Sequence, residues 1–384
     1  MNKQVNIIDA VEIINNRVRP FKGQRRYLAT GDLAGDEINE TAFVDYESRP
    51  SRADLLVNEG EIIVARMQAT NKVLLIDDTT KDLIVSTGFL TLAPKKGFDI
   101  RYLAHYFRSD IFQRQKDRYC SGATQKAINN GAFEKLCVPS YPLDEQRKIA
   151  KILSHVELLR QKRKQSFWFL NDFLHATFLH MFGDPIQNPN NLAQKKIGEL
   201  GKVITGNTPP RHKKEYYGNY IEWIKSDNIN TPQFTLTRAE EYLSKKGAGV
   251  GRVAPKGSVL VTCIAGTPDC IGNIAMADRE VAFNQQINAF VPGGEISQTI
   301  FFAQVLFCKK LIQQASTNSM KGLVSKGKFS EIKIIVPPKK QQNRFEAIFD
   351  RVVILRLQQQ RSALELDNHF NVLIQKVFGE AENV

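Results

Sequence analysis

The side chains that commonly carry catalysis are scattered through this 384-residue sequence. No phosphate-binding loop of the form G-x-x-x-x-G-K-S/T occurs, and no glycine-rich loop for S-adenosylmethionine or a dinucleotide follows a predicted strand. The six histidines are dispersed, and the Glu-x-Lys triplet at 331–333 lacks a credible upstream aspartate for a nuclease site. We therefore expect a chain that is not an enzyme and that holds no metal or cofactor itself.

The cysteines and the apolar segments bear on where such a chain works. Five cysteines occur without a C-x-x-C pair or a histidine at zinc-finger spacing, which argues against disulfides and structural zinc and favours a reducing cytoplasm. The first twenty residues carry Asp9 and Glu12 inside their apolar run, unlike a signal peptide. No stretch approaches the roughly eighteen apolar residues of a membrane span, so no membrane partner is expected.

Binding is the chemistry that remains. The formal net charge of +13 favours a polyanionic partner, with nucleic acid preferred over an acidic membrane or an incidental charge. Basic, amide and hydroxyl side chains reach phosphates and base edges, and they recur in loops at matching places of the two halves. The candidate nucleic-acid contacts are Arg66, Gln68, Asn71, Thr124, Gln125 and Lys126 in the first half, and Thr267, Asn273, Lys321, Ser325 and Lys326 in the second.

An internal repeat must position these loops. Residues 131–184 align with residues 327–380 at an offset of 196, without a gap, and twelve of the 54 aligned positions are identical. Shorter matches between residues 1–141 and 185–337 follow nearly the same offset. The sequence thus predicts a mixed α+β fold with two pseudo-repeated α/β domains, 1–141 and 185–337, separated by long helices at 142–184 and 338–384.

Each long helix carries an apolar stripe at three- and four-residue spacing. In the first helix it includes Ile149, Ile152, Val156 and Leu159, and polar residues interrupt it near Ser166. A forty-residue helix is about 60 Å long, and such a stripe needs a partner helix. We expect the two helices to form an antiparallel coiled coil, the alternative being that each packs on its own domain.

Strand patterns in the first domain favour short strands around polar turns. The apolar triplets 55–57 and 62–64 flank the turn Asn58-Glu59-Gly60, which predicts a hairpin. Further strands are predicted at 72–77 and 82–86. The small, amide-rich segment 120–131 cannot fill a core, and we expect it at the surface.

These motifs resemble the specificity subunit of type I restriction-modification systems. The resemblance rests on Pro142-Leu-Asp-Glu-Gln-Arg-Lys-Ile-Ala150, the helix ending Phe178–Pro185, the strands after Gly60 and Gly257, the Thr-Pro-Pro after Gly206, and Trp223-Ile-Lys-Ser-Asp227. It covers essentially the whole chain. The first domain departs from the pattern because it lacks Gly-x-Thr-Pro-Pro and has Leu28 where the second has Trp223.

The resemblance implies that each globular domain is a target-recognition domain that reads one half of a bipartite, asymmetric target in double-stranded DNA. The paired helices would set the spacing and dock two modification (methyltransferase) subunits, which carry S-adenosylmethionine. Restriction (translocase/nuclease) subunits would bring ATP and Mg. Two other hypotheses stay open: a coiled-coil scaffold that tethers two protein-binding modules without DNA specificity, and an independent methyltransferase or nuclease.

Overall fold

The computed structural model describes residues 3–317 and 322–379. Within these ranges the chain forms two compact units. The first contains the residues up to 164 together with those from 361 onward, and the second contains residues 165–360. Both division points lie inside long helices, so each unit combines a globular part with half of each long helix. The predicted limits between domains and helices stay a prediction.

The globular part of the first unit is built from short strands and four α-helices among the described residues. Its strands are β1 (Lys3–Asn6), β2 (Val11–Ile14), β3 (Arg25–Leu28), β4 (Leu33–Ala34), β5 (Glu37–Ile38), β6 (Ala42–Val44), β7 (Ala53–Leu56), β8 (Ile62–Ala65), β9 (Val73–Leu75), β10 (Ile84–Ser86), β11 (Phe89–Pro94) and β12 (Cys137–Ser140). Its helices are α1 (Ile7–Ala10), α2 (Ile100–Arg108), α3 (Asp110–Arg118) and α4 (Asn130–Phe133), and the long helix α5 (Leu143–Phe182) follows.

Two four-stranded sheets organise this part. One has the order β2-β11-β8-β9 with antiparallel neighbours, and the other has the order β6-β3-β10-β7, in which β3 and β10 are parallel. All four residues of β8 are buried, as an uninterrupted apolar run requires. Asp99 precedes helix α2 and caps it with its carboxylate, and the helix buries Leu103 and Phe107 in the core.

The second unit repeats this plan. Its strands are β13 (Gln194–Lys196), β14 (Gly201–Thr205), β15 (Tyr217–Ile224), β16 (Tyr242–Leu243), β17 (Val253–Ala254), β18 (Val259–Thr262), β19 (Ile264–Ala265), β20 (Ile274–Met276), β21 (Val281–Phe283), β22 (Ile287–Pro292), β23 (Gly322–Leu323) and β24 (Lys333–Ile335). Its helices are α6 (Ile197–Leu200), α7 (Lys245–Val250), α8 (Gln298–Phe307), α9 (Lys310–Gln313) and α10 (Lys326–Glu331), followed by the second long helix α11 (Lys339–Phe378).

The sheet orders show that the repeat extends into the globular parts. The sheet β14-β22-β18-β20 corresponds to β2-β11-β8-β9, and β16-β15-β21-β17 corresponds to β6-β3-β10-β7, with β15 and β21 parallel as β3 and β10 are. The predicted fold, with two α/β domains and two long helices, is thus confirmed.

The predicted hairpin around Asn58–Gly60 is wrong. β7 pairs with β10, whereas β8 pairs with β9 and β11, so the turn carries the chain from one sheet to the other. The hairpin of this region is β8–β9 instead. Pairing with distant strands overrides the local turn signal because side-chain packing decides where a strand lies.

Inside each unit the two long helices run antiparallel. In the first unit the hydroxyl of Tyr141, just before α5, donates to the carbonyl of Val377 near the end of α11 (2.7 Å). In the second unit Phe345, near the start of α11, contacts Phe178 near the end of α5, with ring centroids 5.5 Å apart. The predicted antiparallel pairing is confirmed, and packing of each helix only on its own domain is not what the structure has.

The buried face of α5 differs in part from the predicted stripe. Ala150 and Leu153 are buried, whereas Ile152 is 52% exposed and Leu159 is 38% exposed. The core-facing positions follow Gln146, which is fully buried. Because a buried glutamine interrupts the apolar pattern, a prediction from the spacing of apolar residues chooses the neighbouring face of the helix as the buried one.

Gln146 explains one of the identities in the repeat. Its side-chain oxygen accepts from the N–H of Asp99, and its amide nitrogen donates to the carbonyls of Gly97 and Tyr141. Gln342, at the same place in the second unit, makes the same three kinds of backbone contact. Each glutamine ties the start of a long helix to the start of a core helix.

Candidate nucleic-acid interface

In the first unit the loop that follows β8 meets the segment that precedes α4. Met67 pairs with Ala127 in an antiparallel bridge, although they are far apart in sequence. We call residues 66–72 together with residues 120–128 the first junction. All six candidate DNA contacts of the first half belong to it, so the structure brings together the two loops that the sequence singled out.

Most of these six side chains lie at the surface. Gln68, Asn71, Thr124, Gln125 and Lys126 are exposed. Asn71 donates an amide hydrogen to the carbonyl of Arg108 (2.8 Å), which fixes its orientation from below. A surface of amides, a hydroxyl and an ammonium group offers both donors and acceptors to base edges and phosphates.

Arg66 lies below this surface. Its Nε donates to the carbonyl of Phe89 (3.0 Å) and its Nη1 donates to the carbonyl of Ile128 (3.3 Å). Burial lowers the pKa of Arg66, and the charge of Arg17 lowers it further. The guanidinium thus joins the two halves of the first junction, and a DNA contact by Arg66 stays a prediction.

The second unit contains an equivalent arrangement. Ile264 in β19 pairs with Leu323 in β23, and these two residues are the repeat equivalents of the bridged pair in the first junction. We call residues 263–273 together with residues 322–326 the second junction. In both units, therefore, the segment that follows a central strand (β8 or β18) meets the segment that lies before the next long helix (α5 or α11).

Two candidates of the second half lie in the segment that follows β19. Thr267 is exposed and precedes a 3-10 turn. Asn273 is half-buried, and its amide donates to the side-chain oxygen of Asn230 (2.6 Å). Both residues thus belong to the second junction, while their contacts with DNA stay predictions.

Two further candidates lie after β23, at the start of α10. Ser325 caps α10, since its hydroxyl accepts from the N–H of Lys328 (3.3 Å). Lys326 is exposed on the first turn of that helix. Lys321 lies outside the described residues.

Sequence reasoning missed a cation–aromatic cluster in the second unit. The guanidinium of Arg211 lies over the rings of Tyr217 and Trp223, at 5.0 and 4.8 Å from their centroids, and pairs with Glu241 at 2.5 Å. Lys225 contacts the same carboxylate. Hydrogen bonds from Arg211 and Lys225 lower the pKa of Glu241. The side chain of Arg211 is 55% exposed, so the cluster presents an oriented cation to solvent.

A signal for this cluster was present in the sequence. Trp223 Nε1 donates to the carbonyl of Asn207 (3.3 Å), next to the Thr208-Pro-Pro210 segment that forms part of the family resemblance. Arg211 follows this segment directly, and a guanidinium stacks readily on the face of a tryptophan ring such as that of Trp223.

The described ranges contain no group of three or more histidine, cysteine, aspartate or glutamate side chains placed to hold a metal ion. In the same ranges no helix combines the length and apolar character that crossing a membrane requires.

One family model matches this chain in two places, which together cover most of it. The family described as "Type I restriction modification DNA specificity domain" matches residues 5–166 and residues 189–366. Two matches in one chain agree with the structural repeat, and each includes one junction.

Curated relatives with this description are distant. A segment of the chain (45% of it) is 29% identical over 188 residues to the HindI specificity subunit of Haemophilus influenzae, and covers 39% of that protein. Another alignment is 26% identical over 190 residues to the MjaIX specificity subunit of Methanocaldococcus jannaschii, and covers 43% of it. The aligned parts thus span about two fifths of these relatives.

A solved structure shares the fold over nearly its full length. The type I restriction-modification S subunit from M. genitalium superposes with a TM-score of 0.62 at 14% identity, covering 98% of this chain and 96% of that one. At this identity the likeness establishes the fold alone.

Proposed function

We propose, since this chain belongs to the family of type I restriction-modification DNA specificity domains, that it is the subunit that selects the DNA sequence in such a complex. Each globular part would read one half of a bipartite target in double-stranded DNA. The observation that carries the proposal is the pair of equivalent junctions, in which exposed hydroxyl and basic side chains lie in both units and exposed amides lie in the first.

The two halves of the target are expected to differ. At equivalent places the two junctions carry different side chains, since Gln68 of the first corresponds to Ala265 of the second, and Lys126 corresponds to Gly322. Base pairs are distinguished by their pattern of donors and acceptors in the major groove. Different side chains at one structural position therefore favour different half-sites, and the whole target is asymmetric.

The chain is proposed to be non-catalytic and to hold no cofactor. In this proposal two modification subunits dock on the long helices and carry S-adenosylmethionine, and restriction subunits, where present, bring ATP and Mg. The base to be methylated must leave the stack to reach such an enzyme. This chain would contribute the choice of site, the spacing between half-sites and the docking surface, in the cytoplasm.

An exchange of residues 1–141 with those of another family member tests this function. The methylated motif in the genome of the host should change in one half-site and keep the other half-site and the gap. If both halves of the motif survived the exchange, the proposal would be wrong.

The scaffold hypothesis differs in its effect on DNA binding. A specificity subunit binds DNA with an affinity that falls steeply with salt, because phosphate contacts release counterions. A scaffold for proteins would show no such affinity in a gel shift of the purified chain between about 50 and 200 mM salt.

A further inference from the structure

Lys116 is a charged side chain with no exposed surface. Lys116 is 0% exposed and lies in the last turn of α3, beneath the first junction. Burial lowers the pKa of Lys116, while the charge of Asp117 opposes that shift. Burying an ammonium group is costly unless its hydrogen bonds are met.

The partners of this ammonium group are the backbone of the loop itself. Nζ of Lys116 donates to the carbonyl of Met67 (2.9 Å) and to the carbonyl of Thr70 (2.8 Å), and lies 3.5 Å from Oδ1 of Asp117. One cation thus fixes two points of the loop. The loop is held from inside, and its outer face remains available.

Asp117 completes the same clamp. Its Oδ2 accepts from the N–H of Ala69 (3.1 Å), and its carbonyl accepts from the amide of Gln68 (3.4 Å). Ala69 has a φ of +54°, in the left-handed region that a residue with a Cβ adopts only when its surroundings impose it. The Lys116–Asp117 pair therefore imposes a strained turn on the exposed tip of the loop.

The second unit holds its junction differently. At the repeat equivalent of Lys116, 199 positions later, stands Ala315. There Nζ of Lys309 donates to the carbonyl of Asp269 (2.6 Å), and this hydrogen bond lies at the surface. The buried clamp is thus a device of the first domain, not a requirement of the repeated fold.

We infer that Lys116 is a positioning residue that presets the loop 66–72 and, through it, the base preference of the first recognition domain. This inference rests on the proposed function and deepens it, because Lys116 lies out of reach of DNA. Its effect passes through the placement of Gln68 and Asn71, which sit on the loop it holds. A loop that is already fixed loses less conformational entropy on binding, and its hydrogen-bond donors keep one position relative to the base edges.

The test compares Lys116→Met with a matched control. Methionine keeps an unbranched apolar stem but removes both hydrogen bonds and the charge. Lys135→Met removes an exposed lysine of the same domain. Because a buried substitution can prevent folding, Ala69→Pro is the second variant: it alters only the exposed tip, forbids the positive φ and removes the N–H that Asp117 accepts.

Two measurements are made on the full chain in its complex. Hydrogen exchange should be at least tenfold faster at residues 67–72 in Lys116→Met and Ala69→Pro, with residues 264–273 unchanged. The methylated motif in the host genome should lose base preference in the first half-site by at least tenfold, with the second half-site intact. Lys135→Met should match the wild type in both measurements.

Each outcome decides one claim. Unchanged exchange at residues 67–72 would overturn the positioning role. Faster exchange with an unchanged first half-site would overturn the link to specificity. Deletion of the gene from the host separates the proposed function: if no bipartite motif disappears, that function fails, while the exchange measurement still decides whether Lys116 presets the loop.

Discussion

Arg160 Nε donates to Oδ1 of Asp367 across 2.5 Å, which joins the two long helices inside the first unit. The repeat equivalents of this pair in the second unit are Arg356 and Asn171. There the ion pair cannot form. The guanidinium of Arg356 instead lies over the rings of Phe167 and Phe234, at 4.2 and 4.0 Å from their centroids. Burial lowers the pKa of Arg356 to about 10.

Asn171→Asp should restore the missing ion pair. Both Oδ1 of Asn171 and Nη1 of Arg356 are buried without a hydrogen-bond partner among the described residues. A charged hydrogen bond there should stabilise the second unit by about 1–2 kcal/mol. Thermal unfolding of the full chain should show a higher midpoint. Asp367→Asn, the reverse change in the first unit, should lower the midpoint. A lower midpoint for Asn171→Asp would show that the new carboxylate at position 171 does not form the ion pair with Arg356.

Gln146→Leu should weaken the first unit selectively. The substitution removes three hydrogen bonds and leaves buried backbone groups unpaired, at a cost of about 2–4 kcal/mol. Hydrogen exchange should become faster in residues 97–108 and remain unchanged in the second unit. Gln342→Leu should produce the converse pattern, whereas Gln341→Leu, at an exposed neighbour, should affect neither unit.

Glu222 should make the second unit sensitive to acid. Burial opposes its charge, but hydrogen bonds from Arg279 and from the N–H of Ala239 (3.0 Å) hold the pKa of this carboxyl below its usual range. A lowered folded-state pKa stabilises the fold above the unfolded-state pKa, near 4.3, and this contribution is lost as pH falls through the folded-state value.

Glu222→Gln should therefore flatten the acid limb of the stability profile. Between about pH 5 and pH 3 the unfolding midpoint of the variant should fall less than that of the wild type, because it has no such carboxylate to protonate. The exposed Glu240→Gln is the matched control. Parallel profiles of wild type and Glu222→Gln would contradict the assignment.

Gln125→Ala and Lys126→Gln should have different effects on DNA binding, the first on sequence preference and the second on affinity for every sequence. A base contact by Gln125 costs about 1–3 kcal/mol when removed, and relaxes one position of the first half-site. A phosphate contact by Lys126 weakens all sequences alike and reduces the salt slope of binding by about one. Titrations of the complex at several salt concentrations, on the target and on a half-site mutant, separate the two. Equal effects on every sequence from both variants would argue against base reading by Gln125.

A heptad inserted into both long helices should lengthen the gap in the DNA target. Seven residues add about 10 Å to a helix, the length of about three base pairs. The two half-site sequences should be unchanged in the methylated motif. An insertion of the same length in the segment 188–191, where the chain is not helical, is the control and should leave the gap as it was.

The repeat made much of this architecture predictable. Long helices without proline or glycine, and two loops of amide and basic residues at matching places, are local signals, and both junctions lie where those loops meet. The parallel pairing of β3 with β10 was not predictable, because it joins Tyr27 to Ile84 and no local pattern records a partner so distant.

Positions decided by burial were the hardest to predict. A sequence offers Lys116 as one more surface lysine, and Arg66 as one more candidate contact, since only the folded chain reveals which ammonium or guanidinium groups face backbone carbonyls. The stripe on α5 misled for the same reason: the buried Gln146 is polar, and the exposed Ile152 is apolar.

The division of both helices between the units has a consequence for synthesis on the ribosome. The second unit is continuous in sequence, whereas the first closes only when residues 361–378 supply Ile374, Val377 and Phe378 to its core. The part translated first is thus completed last. The first domain keeps an open apolar face until the whole second unit has been made, and a chain that ended at Gln360 would contain all of the second unit but lack the residues that close the first.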